Sequence, residues 1–167
     1  PMRILLIYPE IPDTFWSFKH ALRFIHKKST FPPLGLLTIA AMLPEQWEKR
    51  LVDMNIKQLT QRDIEWADYV FVSAMVVQRD SAHQVVSWCK KLGAKMVAGG
   101  PLFLADYDEF PEVDHFVLGE GENTLPLFLQ DLEAGHPQRI YQVNEFPDIT
   151  TSPTPLWSLA NLKQYSS

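Results

Sequence analysis

Short runs of consecutive apolar residues, each closed by glycine, proline or a polar turn, recur along the chain and are separated by stretches with helical spacing. The first, Ile4 to Tyr8, is closed by Pro9, and its unbroken apolarity predicts a strand buried on both faces of a parallel sheet. Arg50 to Met54 predicts a second strand, and Tyr69 to Met75 a third whose β-branched and aromatic content suits a sheet centre. Lys95 to Gly99 and His115 to Leu118 predict a fourth and a fifth. Between them, Leu34 to Leu43, introduced by Pro32-Pro33 and stopped by Pro44, reads as a short, almost fully buried helix. Thr60 to Trp66 reads as a helix with Thr60 as its N-cap and Asp63 at the capping-box position. Ser81 to Leu92 reads as a helix closed by Gly93, and Asn123 to Ala134 as one closed by Gly135.

Five strands alternating with helices predict an α/β fold, a doubly wound five-stranded parallel sheet of the Rossmann or flavodoxin-like kind, over residues 1–136. Such sheets bind ligands beyond the carboxyl ends of their strands, near the topological switch point. Ser73-Ala74-Met75, Gly99-Gly100-Pro101 and Gly119-Glu120-Gly121-Glu122 all fall at those ends. A Gly-Gly pair without Cβ atoms lets the backbone turn tightly or lets a flat ligand come close, and the motif alone leaves both open. Gly35 carries the same pair of readings. Glu10 to Phe31, with Phe15, Trp16, Phe18, Lys19, His20, Arg23, Phe24, His26, Lys27 and Lys28, is a long connection expected to be a flap with a helical turn. Asp106 to Asp114 reads as an acidic loop. After Pro137 a short strand-like Arg139 to Val143 runs into Pro147, Pro153 and Pro155, so 137–167 is expected to be a proline-rich C-terminal extension, an extended linker.

At 167 residues and 46% hydrophobic, the chain has the length of one domain with a sizeable core. A net charge of -5 argues against a nucleic-acid partner, which clustered Lys and Arg would have to hold. The single cysteine, Cys89, excludes an internal disulfide and any multi-cysteine metal or cluster site within this chain, and its setting reads as the buried face of a helix. No apolar run is long enough to cross a bilayer and no signal-peptide pattern opens the sequence, so no membrane partner and a cytoplasmic location are expected.

A dinucleotide fold would place G-x-G-x-x-G after the first strand, where Tyr8-Pro9-Glu10-Ile11-Pro12 stands. The hydroxyl-rich phosphate loop of a flavodoxin is missing from the same place. A phosphoacceptor receiver domain would need a carboxylate where Ser73 ends the third strand, and no P-loop pattern occurs. Pro32-Pro33-Leu34-Gly35-Leu36-Leu37, Ser73-Ala74-Met75, Gly99-Gly100-Pro101 and Gly119-Glu120-Gly121-Glu122-Asn123-Thr124-Leu125, in that order and spacing, instead resemble the N-terminal cobalamin-binding domain of cobalamin-dependent radical S-adenosylmethionine enzymes.

The resemblance spans about residues 2 to 136, and the proline-rich tail resembles that family's connector to its radical core. It implies that the nucleotide tail of cobalamin enters a pocket between the third and fourth strands. Ser73 would hydrogen-bond the benzimidazole end, and Gly99 and Gly100 would leave room for the tail. A bulky residue at either glycine is then expected to abolish corrinoid uptake and leave the fold intact. The rim loops, Met75, Val76 and Gln78 on one side and Pro101, Leu102 and Phe103 on the other, would contact the corrin. Ala74 and Gly119 belong to the same rim, while Glu120, Gly121, Glu122 and Thr124 would offer backbone N–H groups and a helix N-terminus to polar substituents. For Ser73 a bond to local backbone, and for the two glutamates simple complementarity to the helix dipole, stand as the alternatives.

Two departures bear on mechanism. The D-x-H-x-x-G motif that supplies an axial histidine in many cobalamin domains has no match, and His20, His26, His83, His115 and His136 lack ligand spacing, so base-off cobalamin without a histidine lower ligand is expected. An iron–sulfur cluster and S-adenosylmethionine would need three closely spaced cysteines, so the resemblance assigns them to a radical core outside this chain. The expectation is therefore a methyltransferase-type cofactor module, inactive alone and either excised or free-standing, whose partners are cobalamin and a radical S-adenosylmethionine domain of the same full-length protein. A nucleotide or small-molecule sensor of the same fold, and an interaction domain docking through Phe15, Trp16 and Phe18, are the competing readings.

Overall fold

A computed structural model of the chain describes residues 1–14, 32–143 and 153–165. The aromatic and basic residues from Phe15 to Lys28, on which the flap reading rests, lie outside the described residues. Six parallel strands form one sheet: β1 (Arg3–Tyr8), β2 (Glu48–Asp53), β3 (Tyr69–Ser73), β4 (Lys95–Gly99), β5 (His115–Leu118) and β6 (Ile140–Gln142), in the spatial order β2-β1-β3-β4-β5-β6. Strand order reverses between β1 and β3, the switch point of a doubly wound sheet.

The expected α/β architecture is present with one strand more than the five anticipated. Phe116, Val117 and Leu118 pair in parallel with Ile140, Tyr141 and Gln142. The strand-like stretch Arg139 to Val143, read as the start of a linker, is thus an edge strand of the sheet, and of its three paired residues only Tyr141 is buried. The Tyr141 hydroxyl fixes the strand by donating to Asp131 Oδ2 at 2.7 Å and accepting from the Gln138 N–H at 2.6 Å.

The sheet is covered by helices α1 (Leu34–Met42), α2 (Gln61–Trp66), α3 (Arg79–Lys91), α4 (Pro101–Asp106) and α5 (Gly121–Ala134). Helix α1 is half-buried rather than almost fully buried, because only Leu36, Leu37 and Ala40 turn fully inward while Leu34 stays exposed. Strand side chains alternate between two cores. Leu5, Ile7, Val70, Val72, Met96, Ala98 and Phe116 join α2, α3 and α4, whereas Ile4, Leu6, Phe71, Val97 and Val117 join α1 and α5. The Thr60 capping box forms as read, with Thr60 Oγ1 accepting from the Asp63 N–H at 3.2 Å and the Thr60 N–H donating to Asp63 Oδ2 at 3.0 Å. Cys89 is fully buried in the α3 core, and burial pushes its thiol up to about 12.

Helix α4 was not anticipated, because Gly99-Gly100-Pro101 reads as a loop. Gly100 turns the chain at φ +93°, and Pro101 then occupies the first helical position, where its missing N–H costs nothing. The acidic stretch that follows is tied down: Arg79 of α3 donates to Asp106 and Glu109 at 2.6 Å each, and the Met96 N–H donates to Asp114 Oδ2 at 2.8 Å. Among the described residues no helix is long and apolar enough to cross a membrane.

Candidate functional site

The cavity follows from strand register. Ser73, Gly99 and Val117 stand side by side across β3, β4 and β5, and alternation turns this row toward the face covered by α1 and α5. One row below, on the same face, Phe71 and Val97 fill the space with large apolar side chains. Where the row changes to Ser and Gly the filling stops, and a cavity of about 250 Å³ opens at the carboxyl ends of the strands. Leu34, Gly35, Leu36, Thr38 and Ile39 of α1 form one wall, and Gly119, Glu120, Gly121 and Glu122 at the start of α5 form another. Drug-sized ligands occupy roughly 300–1,000 Å³, so this volume suits one limb of a larger molecule whose remainder lies on the rim.

Ser73 Oγ has no hydrogen-bond partner among the described residues. A Cβ on Gly35 would stand 4.0 Å from that hydroxyl, in otherwise open space, so the absence of a side chain at Gly35 leaves the serine facing the cavity. Glu120 and Glu122 are the charged residues in the lining, and no Lys, Arg or His accompanies them among the described residues.

The two strand-end glycines work differently from the sequence reading. A Cβ on Gly99 would lie 2.8 Å from the Val117 carbonyl oxygen, and one on Gly100 would lie 2.9 Å from both the Ala74 carbonyl oxygen and Ser73 Oγ. The expectation that either could be enlarged without disturbing the fold is therefore corrected: their bare Cα atoms let β4 and its exit pass close to neighbouring backbone. Gly99 and Gly100 still line the cavity.

Of the other residues singled out, Ser73, Gly119, Glu120, Gly121 and Glu122 line the cavity. Met75, Val76 and Pro101 are exposed on the rim beside it. Gln78 is wholly buried and braces the loop after β3, its Oε1 accepting from the Met75 N–H at 2.7 Å and its Nε2 donating to the Pro9 carbonyl at 2.6 Å. Ala74, Leu102 and Phe103 point into the core, where Phe103 meets Phe110 at 4.7 Å between ring centroids. Thr124 is buried too, and its hydroxyl donates to the Glu120 carbonyl at 3.2 Å. The α1 wall is what the list of sequence candidates lacked, although Gly35 signalled it.

The described histidines lie away from this cavity. His83 is on α3, over the other face of the sheet, stacked on Phe110 and 3.2 Å from Glu109. His115 stands at the amino end of β5 with Nδ1 2.6 Å from the Gln138 carbonyl oxygen, and His136 follows the far end of α5. His20 and His26 lie outside the described residues.

Comparison with known proteins gives a consistent picture. The sequence model of the B12 binding domain matches residues 23–129. An uncharacterized methyltransferase of Synechocystis is 42% identical over 99% of this chain and 31% of its own length. The hopanoid C-2 methylase of Rhodopseudomonas palustris is 34% identical over 98% of this chain and 32% of its own length. A further uncharacterized methyltransferase, from Pyrococcus horikoshii, is 30% identical over 80% of this chain. The chain thus spans about a third of the length of the curated relatives it matches. No solved structure matches it significantly.

Proposed function

Because the chain belongs to the B12 binding domain family, we propose that it is the cobalamin-holding module of a larger methyltransferase, with its cavity receiving the nucleotide tail while the corrin lies on the rim. The observation that carries this reading is the Ser73 hydroxyl. It faces bare Gly35 across apolar walls and has no partner among the described residues, an arrangement that leaves a hydrogen bond for a flat heteroaromatic group. When bound, cobalamin supplies a cobalt centre able to carry a methyl group. The chain's own part is binding and orientation: Ser73 bonds the inserted ring, Glu120 and Glu122 accept from amide or hydroxyl donors, and Met75, Val76 and Pro101 keep water from the underside of the ring.

The cofactor is held base-off without a histidine beneath the metal. Support comes from the three described histidines, which sit on the opposite face or the opposite end of the sheet. The remaining two thirds of the full-length protein supply the reaction. The resemblance described above makes that remainder a radical S-adenosylmethionine core with its iron–sulfur cluster and implies methyl transfer to an unactivated centre, and the methylase among the relatives supports methyl transfer as the reaction. A free nucleotide fits less well, since two carboxylates and no described cation line the cavity.

Titration with hydroxocobalamin, followed by absorption, tests the reading. One corrinoid per chain with a base-off spectrum is expected. No uptake, or a spectrum showing nitrogen ligation from the protein, would overturn the corresponding part, and retention of flavin mononucleotide or adenosine phosphates instead would favour a sensor.

A further inference from the structure

Helix α1 forms a wall of the cavity yet has little of its own to hold it. It is nine residues long, Pro33 offers no capping side chain, and neither end carries a charge that complements the dipole. Its position is set by what packs on it.

One such element is the segment 153–165, which returns from beyond β6 and lies across α1 and β2. The Leu156 N–H donates at 2.8 Å to the carbonyl of Leu37, inside α1, and Leu156 and Leu159 pack half-buried against the cluster that contains Leu36 and Ala40. At its other end Tyr165 is 4% exposed and its hydroxyl donates at 2.8 Å to Asp53 Oδ2, at the carboxyl end of β2. Asp53 is 1% exposed and also accepts from the Asn55 backbone and side-chain amides at 2.9 Å each. The segment is thus fastened both on the cavity wall and on the rim of the sheet.

We propose that residues 153–165 are a strap that fixes α1 and so sets the width of the cofactor cavity, making Leu156 and Tyr165 positioning residues for cofactor binding. The proposal rests on the cobalamin reading for its ligand. If the cofactor prefers the strapped arrangement, linkage requires that bound cofactor tighten the strap by the same factor that the strap tightens binding.

The test uses the whole chain and a double variant, Tyr165→Phe with Leu156→Pro. The first removes one hydroxyl, and the second removes one N–H at a backbone φ of -82°, which proline adopts. Hydroxocobalamin should bind the variant on the order of fivefold more weakly. In the unmodified chain, saturating hydroxocobalamin should slow hydrogen exchange of the Leu156 amide by a matching factor. Equal affinity in both chains, or no change in exchange on loading, would overturn the strap. If the variant fails to fold, the exchange measurement decides alone. Absence of any uptake by the unmodified chain would overturn the cobalamin reading and this inference together, whereas uptake without linkage overturns this inference only.

Discussion

Gly35 and Ser73 face each other across the cavity, the place of a Gly35 Cβ lying 4.0 Å from the serine hydroxyl. A glycine inside a helix sacrifices stability, and here the space it leaves is the space a ligand would take. Gly35→Ala should therefore stabilise the fold by about 0.5–1 kcal/mol. Gly35→Leu should fold equally well and lose at least about tenfold in corrinoid affinity, because its branch fills a cavity that nothing else on α1 fills. Chemical denaturation beside a spectral titration separates the two effects, and a Leu variant with full affinity would remove Gly35 from the site.

Gly100 answers to a different constraint. At φ +93° and with the Ala74 backbone 2.9 Å from any Cβ, Gly100→Ala should destabilise the fold by about 1–3 kcal/mol. Loss of affinity in that variant should follow loss of stability, as denaturant midpoints measured with and without cofactor would reveal.

Ser73→Ala discriminates ligand contact from structural support. Since Ser73 Oγ bonds no described residue, the variant should keep its stability to within about 0.5 kcal/mol. Its affinity for hydroxocobalamin should fall by about 0.5–1.5 kcal/mol, the net value of one hydrogen bond. Equal losses in stability and affinity would make the hydroxyl a structural group.

How much of this was legible depended on whether a residue's direction is set by its own element. Strands β1, β3 and β5 announced themselves by unbroken apolar runs, and the Thr60 capping box by two residues at a fixed spacing. The rim was legible because small residues end or directly follow β3, β4 and β5, at Ser73-Ala74, Gly99-Gly100 and Gly119. Leu102 and Phe103 were misplaced on it because a segment read as a loop has no inward face, whereas helix α4 turns both into the core. The α1 wall was obscured by a helix apolar all round, in which no stripe marks the cavity side. The segment 153–165 reads as linker because scattered contacts, among them the Leu156 N–H on Leu37 and the Tyr165 hydroxyl on Asp53, hold it rather than a periodic pattern.

Asp53 should give stability a pH dependence of definite sign. Burial is the main cause that raises its carboxyl above the ordinary 3.8, against the lowering effect of the Asn55 and Tyr165 hydrogen bonds. A carboxyl raised on folding contributes stability that is complete below 3.8 and lost as pH climbs through its native value. Wild-type stability relative to Asp53→Asn should thus decline as pH rises from below 3.8 and level off above the raised value. The opposite slope, in denaturation curves across that window, would show that the hydrogen bonds outweigh burial.

The nucleotide tail is the part of cobalamin that the cavity between Ser73 and Gly35 is proposed to hold. Comparing the affinities of this chain for cobalamin and for cobinamide, which has the corrin but no nucleotide, isolates that limb. Binding should be at least about tenfold tighter for cobalamin, a gap that Gly35→Leu closes by weakening cobalamin alone. Equal affinity of the unmodified chain for both corrinoids would contradict it.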